Sequence, residues 1–123
     1  MSRAGLGRSL GQDGEDKAAA ALEKAGMQII TRNFRSKRGE VDIIALDGET
    51  LVFIEVKAWS AYGIENLRYS IDHKKQQRII ETAKYFIASH RKYNEMTVRF
   101  DVVFVGPEPE GLTHLESAFM ERV

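Results

Sequence analysis

Residues 40–58, with the sequence EVDIIALDGETLVFIEVKA, restrict the fold of this chain more than any other segment. Two apolar runs, residues 41–46 and 51–56, lie on either side of the turn-forming sequence Asp-Gly-Glu-Thr. Apolar runs of this length around an Asp-Gly turn are typical of a β-hairpin. We therefore expect two adjacent antiparallel strands here.

Three charged residues interrupt these apolar runs or follow them directly: Asp42, Glu55 and Lys57. Side chains alternate along a strand, so Glu55 and Lys57 share a face. If the four turn residues form the loop, Leu46 pairs with Leu51. This register sets Asp42 opposite Glu55, and only an odd change in loop length or a bulge moves Asp42 to the other face.

Ionised side chains are rarely buried without a partner, so these three charges need compensation. Two carboxylates about 4 Å apart repel by about 4 kcal/mol at the effective dielectric constant of a protein surface. Lys57 offsets only one charge, whereas Mg²⁺ or Mn²⁺ suits carboxylate oxygens and removes the rest. Such an ion could activate a water molecule, with Lys57 orienting that water or stabilising developing charge. The alternative is a solvated hairpin face with one cross-strand ion pair.

The length of 123 residues and the mixed composition fit one globular domain, with residues 1–10 as a flexible lead and residues 11–123 as the domain. The chain has no cysteine, which excludes a disulfide framework. No apolar run approaches the length of a membrane span, and the first residues lack the hydrophobic core of a signal peptide. We expect a cytoplasmic protein with no membrane partner.

The net charge is zero, but the charges are unevenly distributed. Residues 1–38 contain eight Lys or Arg against four Asp or Glu, and residues 67–99 contain eight against three. Residues 39–66, which include the hairpin, contain one against six. Basic segments on both sides of an acidic hairpin would suit a phosphate backbone bound over an acidic metal site.

The candidate phosphate contacts form two basic groups. One group precedes the hairpin in an expected connecting loop, and the other lies near the start of a predicted helix, where cations oppose the helix dipole and an anionic ligand would relieve that tension. The alternative is that both groups are ordinary exposed charges. The candidates are Arg32, Arg35, Lys37, Arg38, Lys74, Lys75 and Arg78.

The remaining patterns predict a helix over residues 12–25, a strand over 27–33, a loop over 59–69 and a long helix over 72–92 that Ser70 or Asp72 caps. Strands follow at residues 97–105 and 112–119. The order is αβββαβ with one further strand. Three antiparallel strands and a parallel return through the long helix give an α/β fold with a mixed central sheet flanked by helices.

Asp42 on one strand and Glu55-Val56-Lys57 on the next, in an αβββαβ order, resemble the PD-(D/E)xK nuclease superfamily with its restriction endonuclease-like fold. The segments GEDKAAAALEKAG, RNFRSKRGEVDIIALDGETLVFIEVK, KQQR, RFDVV and SAF are similar to the YraN-like family of uncharacterised bacterial proteins, which are related to Holliday-junction resolvases. These segments span nearly the whole chain.

The resemblance implies a Mg²⁺- or Mn²⁺-dependent endonuclease that acts on nucleic acid, with DNA favoured over RNA and a role in repair or recombination. Junction-cutting relatives act as dimers, so a homodimer is also implied. Asp42 and Glu55 would bind the metal with the backbone carbonyl of Val56, and Lys57 would act near the attacking water.

The resemblance also assigns roles on the two helices. Glu15 matches the first-helix acid that holds a metal or its water in related nucleases; without the resemblance it is a favourable acid in a first helical turn. Gln76 resembles a polar helix residue that lines the site, and Gln77 is the neighbouring alternative. The chain departs from the family at Trp59, where a basic residue is common, and Trp59 could instead stack on a base or pack in the core.

Three functions remain open. The first is a metal-dependent nuclease. The second is a non-catalytic nucleic-acid-binding module of a repair, recombination or uptake complex, which the missing basic residue after the motif favours. The third is an interaction module whose hairpin acids are ordinary surface charges.

Overall fold

The computed structural model describes residues 10–58, 71–106 and 111–121. The predicted lead therefore lies outside the described residues except for Leu10, as do the predicted loop with Trp59 and the alternative cap Ser70. The elements are α1 (Leu10–Lys24), β1 (Gln28–Ser36), β2 (Gly39–Asp47), β3 (Thr50–Ala58), α2 (His73–Ser89), a 3-10 helix (Arg91–Tyr93), β4 (Thr97–Val105) and β5 (Leu112–Phe119). Neither α-helix of the described residues is long and apolar enough to cross a membrane.

The five strands form one mixed sheet in the order β1-β2-β3-β4-β5. The pairs β1–β2, β2–β3 and β4–β5 are antiparallel, and β3–β4 is parallel. The parallel pair is the step that passes through α2, because a parallel neighbour requires a crossover connection. The predicted α/β fold, the αβββαβ order and the mixed sheet are confirmed.

The hairpin turn has two residues rather than the four considered above. Asp47 pairs with Thr50, which leaves Gly48 and Glu49 in the turn. Gly48 has a φ of 61°, which a two-residue hairpin turn requires and which glycine adopts without a steric penalty. Both versions of the loop give the same register, and the strands pair Leu46 with Leu51 as predicted.

The first strand is longer than the prediction. β1 continues to Ser36, so Arg32 and Arg35 belong to a strand, and the expected basic loop is only the turn at residues 37–38. The cause is Phe34, which pairs with Val41 across the strands and packs edge-to-face against Phe86 of α2 at a ring separation of 5.1 Å. This packing extends the strand through a segment that reads as polar.

The helices cover opposite faces of the sheet, which gives two apolar clusters. The N-terminal cap of α2 is Asp72, one of the two predicted candidates. Its carboxylate accepts a hydrogen bond from the Lys75 N–H at 2.9 Å. The cluster against α2 includes Val41, Ile44, Phe53, Ile80, Phe86 and Phe104. The cluster against α1 includes Ala18, Leu22, Ile43, Ile54 and Val103.

A fully buried carboxylate, Asp101, joins β4 to β5. It accepts hydrogen bonds from Arg99 at 2.9 and 3.0 Å and from the Ser117 N–H at 3.0 Å, and His114 Nε2 lies 2.7 Å from its Oδ2. Burial alone raises the pKa of Asp101, but these partners favour the charged form and lower its pKa overall. Asp101 therefore stabilises the edge of the sheet.

We expect Asp101→Asn to lower the free energy of unfolding by about 3 kcal/mol, because it removes the fully buried carboxylate that Arg99 pairs with. Among the described residues, Arg99 then keeps only the more exposed Asp47 and Glu116. The measurement is urea unfolding. Glu116→Gln is the matched control: its carboxylate lies 3.7 Å from Arg99 but is 62% exposed, so its loss costs at most about 1 kcal/mol. Equal stability of the two variants would contradict this role for Asp101.

Candidate functional site

The site begins at an interruption in the side-chain alternation of β2. Val41 packs toward α2 and Ile43 packs toward α1, although residues two positions apart on a regular strand share a face. The residue between them is Asp42, and the β1 residue opposite it, Asn33, has a left-handed φ of 55°. From this point on, the side chains of β2 point to the opposite faces from those that a regular strand would give them. The Asp42 carboxylate accepts a hydrogen bond from the Val56 N–H of β3 at 2.7 Å.

This geometry differs from the expectation for Asp42 and adds a contact at Val56. The register is the one that sets Asp42 opposite Glu55, but the Asp42 carboxylate extends along the sheet toward β3 instead of standing out from one face. Val56 contributes its backbone N–H to Asp42, and the role of its carbonyl as a metal ligand stays a prediction. The N–H bond fixes the Asp42 carboxylate beside the end of β3.

The two acids of the hairpin interact directly. Glu55 is only 5% exposed, on the α2 side of β3. The pKa of Asp42 is raised to about 7. Burial is the largest cause, followed by the charge of Glu55; a hydrogen bond with Glu55 and the charge of Glu15 add to the increase, and the Val56 N–H opposes it. Near neutral pH the pair therefore resists carrying two full negative charges, and it would favour a cation that removes their repulsion.

The cation that pairs with Glu55 comes from α2. Lys75 Nζ lies 2.6 Å from Glu55 Oε2, although the sequence placed Lys75 among the phosphate contacts and expected Lys57 to offset the charge. Lys57 is half-buried two residues after Glu55, and within the described residues no ion pair joins it to a carboxylate. Sequence patterns missed this pair because no local spacing relates a helix residue to a strand residue so far along the chain.

Glu15 is buried on α1 and lies against β1. Its Oε1 accepts hydrogen bonds from Arg32 Nε at 2.9 Å and Asn33 Nδ2 at 3.0 Å, and Arg32 also contacts Asp16 at 2.6 Å. Two carboxylates therefore engage the Arg32 guanidinium in this structure, and a phosphate contact by Arg32, which would have to compete with them, stays a prediction. Glu15 stays close enough to Asp42 to affect its pKa.

The described residues contain no group of three or more His, Cys, Asp or Glu side chains arranged to hold a metal ion. Asp42 and Glu55 are nevertheless two hard oxygen donors whose charges remain mutually repulsive. Mg²⁺ is commonly bound by one or two carboxylates, with water and substrate phosphates as its other ligands. The donor set of this chain fits Mg²⁺ or Mn²⁺ on that basis, as an open site with two carboxylates.

Two neighbouring cavities connect Glu55 to the basic residues. The first, which we call the carboxylate cavity, has a volume of about 270 Å³ and is lined by Gly39, Glu40, Glu55, Lys75, Arg78 and Ile79. The second, which we call the basic groove, has a volume of about 310 Å³ and is lined by Arg38, Lys74, Gln77, Arg78 and Glu81. Arg78 belongs to both, so the basic groove, where Arg38 of the β1–β2 turn meets the cations of α2, adjoins the cavity that contains Glu55.

Gly39 allows this meeting by letting the β1–β2 turn approach α2. A Cβ atom on Gly39 would lie 3.3 Å from Cβ of Arg78 and 3.4 Å from Oγ1 of Thr82. Arg38 of the same turn consequently lines the basic groove with Arg78. The absence of a side chain at Gly39 therefore positions one of the predicted phosphate contacts.

Four other predicted residues do not line the carboxylate cavity. Arg35 is exposed and pairs with Glu40 at 2.8 Å, and Lys37 is exposed in the turn. Gln76 donates to the carbonyl of Ile71 at 3.0 Å and lines a separate cavity of about 280 Å³ beside β5. Its alternative, Gln77, lines the basic groove.

The raised pKa of Asp42 predicts a pH dependence of stability. A carboxyl whose folded pKa exceeds its unfolded value stabilises the protein below the unfolded pKa, near 4, and that contribution disappears as the pH rises through about 7. In metal-free buffer we expect the free energy of unfolding of Asp42→Asn to equal that of the wild type near pH 4. At pH 8 we expect the variant to be more stable by on the order of 4 kcal/mol. Urea unfolding at each pH measures the stability difference between the two proteins. A difference that stays constant from pH 4 to 8 would contradict this pH dependence.

Comparison with known proteins places the chain in a family. A profile of the uncharacterised protein family UPF0102 matches residues 14–105. A UPF0102 protein of Treponema denticola is 43% identical over 90% of this chain and 95% of the relative. UPF0102 proteins of Persephonella marina and Rhodococcus opacus are 40% and 42% identical, over 89% and 90% of this chain and 91% and 96% of the relatives. The chain therefore belongs to the UPF0102 family, and its predicted membership of the YraN-like group is confirmed.

Proposed function

We propose that this protein is a metal-dependent nuclease of the PD-(D/E)xK type that hydrolyses phosphodiester bonds. The observation that carries the proposal is the convergence of two repelling, largely buried carboxylates, Asp42 and Glu55, at the end of the hairpin. A structural role explains such a pair poorly, because mutual repulsion and burial both oppose it. Binding a divalent cation would remove both costs.

The residues have distinct roles in this proposal. Asp42 and Glu55 would hold Mg²⁺ or Mn²⁺, which when bound supplies Lewis-acid stabilisation and a more acidic water. The Val56 N–H keeps the Asp42 carboxylate in place. Lys57, two residues after Glu55 on β3, orients the attacking water or stabilises the negative charge that develops on the phosphate oxygens.

The basic groove supplies the binding part of the mechanism. Arg38, Lys74 and Arg78 form a short cationic surface that adjoins the carboxylate cavity through Arg78. Phosphate contacts position a nucleic acid without reading its sequence, so this surface suits a phosphate next to the one that is cleaved. The substrate we propose is DNA in repair or recombination, bound by a homodimer if both strands of a junction are cut.

The first test is cleavage of linear, flapped and four-way branched DNA, and of RNA, with Mg²⁺ or Mn²⁺. We expect Asp42→Asn and Glu55→Gln to lower the rate by about 10²–10³-fold or more, and Lys57→Met by at least about 10²-fold. Glu49→Gln is the control, because Glu49 is an exposed acid in the turn of the same hairpin. Cleavage that survives in the Asp42 and Lys57 variants would refute the proposal.

The second test concerns the groove. We expect Arg38→Ala and Arg78→Ala each to weaken binding of fluorescently labelled DNA in metal-free buffer and to reduce the slope of log affinity against log salt by about one. Lys84→Ala removes one positive charge from the same helix, where Lys84 pairs with Glu121, and should leave the slope unchanged. Equal slopes in all four proteins would remove the groove from the binding surface.

Binding without cleavage is the second candidate function. It is favoured by the pairing of Glu55 with Lys75 and of Glu15 with Arg32, which compensates two acids without a metal. Salt-sensitive binding of DNA or RNA combined with no turnover in either Mg²⁺ or Mn²⁺ would select it.

A further inference from the structure

The Glu55–Lys75 pair joins two very different environments. The Glu55 side chain is 7% exposed and the Lys75 side chain is 37% exposed, with 2.6 Å between the charged atoms. Burying a carboxylate is costly unless it is paired, so Lys75 stabilises Glu55 in the metal-free protein. Because the Lys75 side chain is partly exposed to solvent, its ammonium can leave Glu55 at little desolvation cost.

We propose that Lys75 is a displaceable counter-ion: it neutralises Glu55 while no metal is bound, and a divalent cation that binds Asp42 and Glu55 displaces it. This inference rests on the metal site of the proposed function. It adds a regulatory role for Lys75, because metal must compete with an internal cation for the same carboxylate.

The charge count supports displacement. Two carboxylates and one divalent cation balance, whereas an ammonium retained on Glu55 would leave one excess positive charge beside the metal. Lys75 Nζ lies 2.6 Å from one of the two Glu55 oxygens, Oε2, so a metal ion that binds through that atom competes with the ammonium for the same negative charge. The displaced Lys75 side chain has space to move into. Lys75 lines the carboxylate cavity, and this cavity adjoins the basic groove at Arg78.

The experiment is a calorimetric titration of Mn²⁺ into the full-length, metal-stripped protein and its Lys75→Met variant. We expect the variant to bind Mn²⁺ about tenfold more tightly, because it lacks the ammonium that competes with Mn²⁺ for Glu55; tenfold corresponds to about 1.4 kcal/mol. We also expect its metal-free melting temperature to fall by several degrees and Mn²⁺ to restore it. Lys84→Met, which loses the same charge from an exposed pair on the same helix, should bind Mn²⁺ within about twofold of wild type.

A second measurement needs no variant. Acylation of lysines, followed by mass spectrometry, should modify Lys75 faster when Mn²⁺ is present, because its ammonium has left Glu55, while the rate at Lys84 stays constant. Unchanged acylation of Lys75, or Mn²⁺ affinity in Lys75→Met no tighter than in Lys84→Met, overturns the proposal, as does a lack of Mn²⁺ binding in every protein.

These outcomes separate the two proposals. Tighter Mn²⁺ binding by Lys75→Met without any cleavage of nucleic acid would support the counter-ion and refute the nuclease. Cleavage that depends on Asp42 and Glu55, with Mn²⁺ affinity unaffected by Lys75→Met, would support the nuclease and refute the counter-ion.

Discussion

The hydrogen bond from the Val56 N–H to the Asp42 carboxylate is the interaction on which the candidate site depends. It forms where β2 changes the direction of its side chains, opposite the left-handed Asn33. A regular strand would place Asp42 on one face of the sheet, apart from the backbone of β3. The irregular strand instead turns the Asp42 carboxylate, which the register already sets opposite Glu55, onto the backbone N–H of Val56.

The buried acids of this protein differ in how they are compensated. Glu15 has Arg32, Glu55 has Lys75, and Asp101 has Arg99, each within 3 Å. Asp42 differs, because its hydrogen-bond donor is a neutral backbone N–H and its strongest charged neighbour is Glu55. The demand for positive charge is therefore concentrated at Asp42, which is the physical basis for the proposal that a divalent cation binds there.

Sequence patterns predicted the order of the elements, the hairpin register, and the last two strands at residues 97–105 and 112–119, because strand alternation and turn residues are local signals. They did not predict the extension of β1, which depends on Phe34 packing against a helix far along the chain. The engagement of Arg32 by Glu15 and of Lys75 by Glu55 was missed for the same reason: tertiary packing brings each pair together, and no sequence spacing records it.

The most direct test of the account is an anomalous difference map from a crystal of this protein soaked in Mn²⁺. The account predicts a peak in contact with the carboxylates of both Asp42 and Glu55, with the ammonium of Lys75 moved away from Glu55. A map without a peak at these two residues, with Lys75 still bound to Glu55, would contradict it.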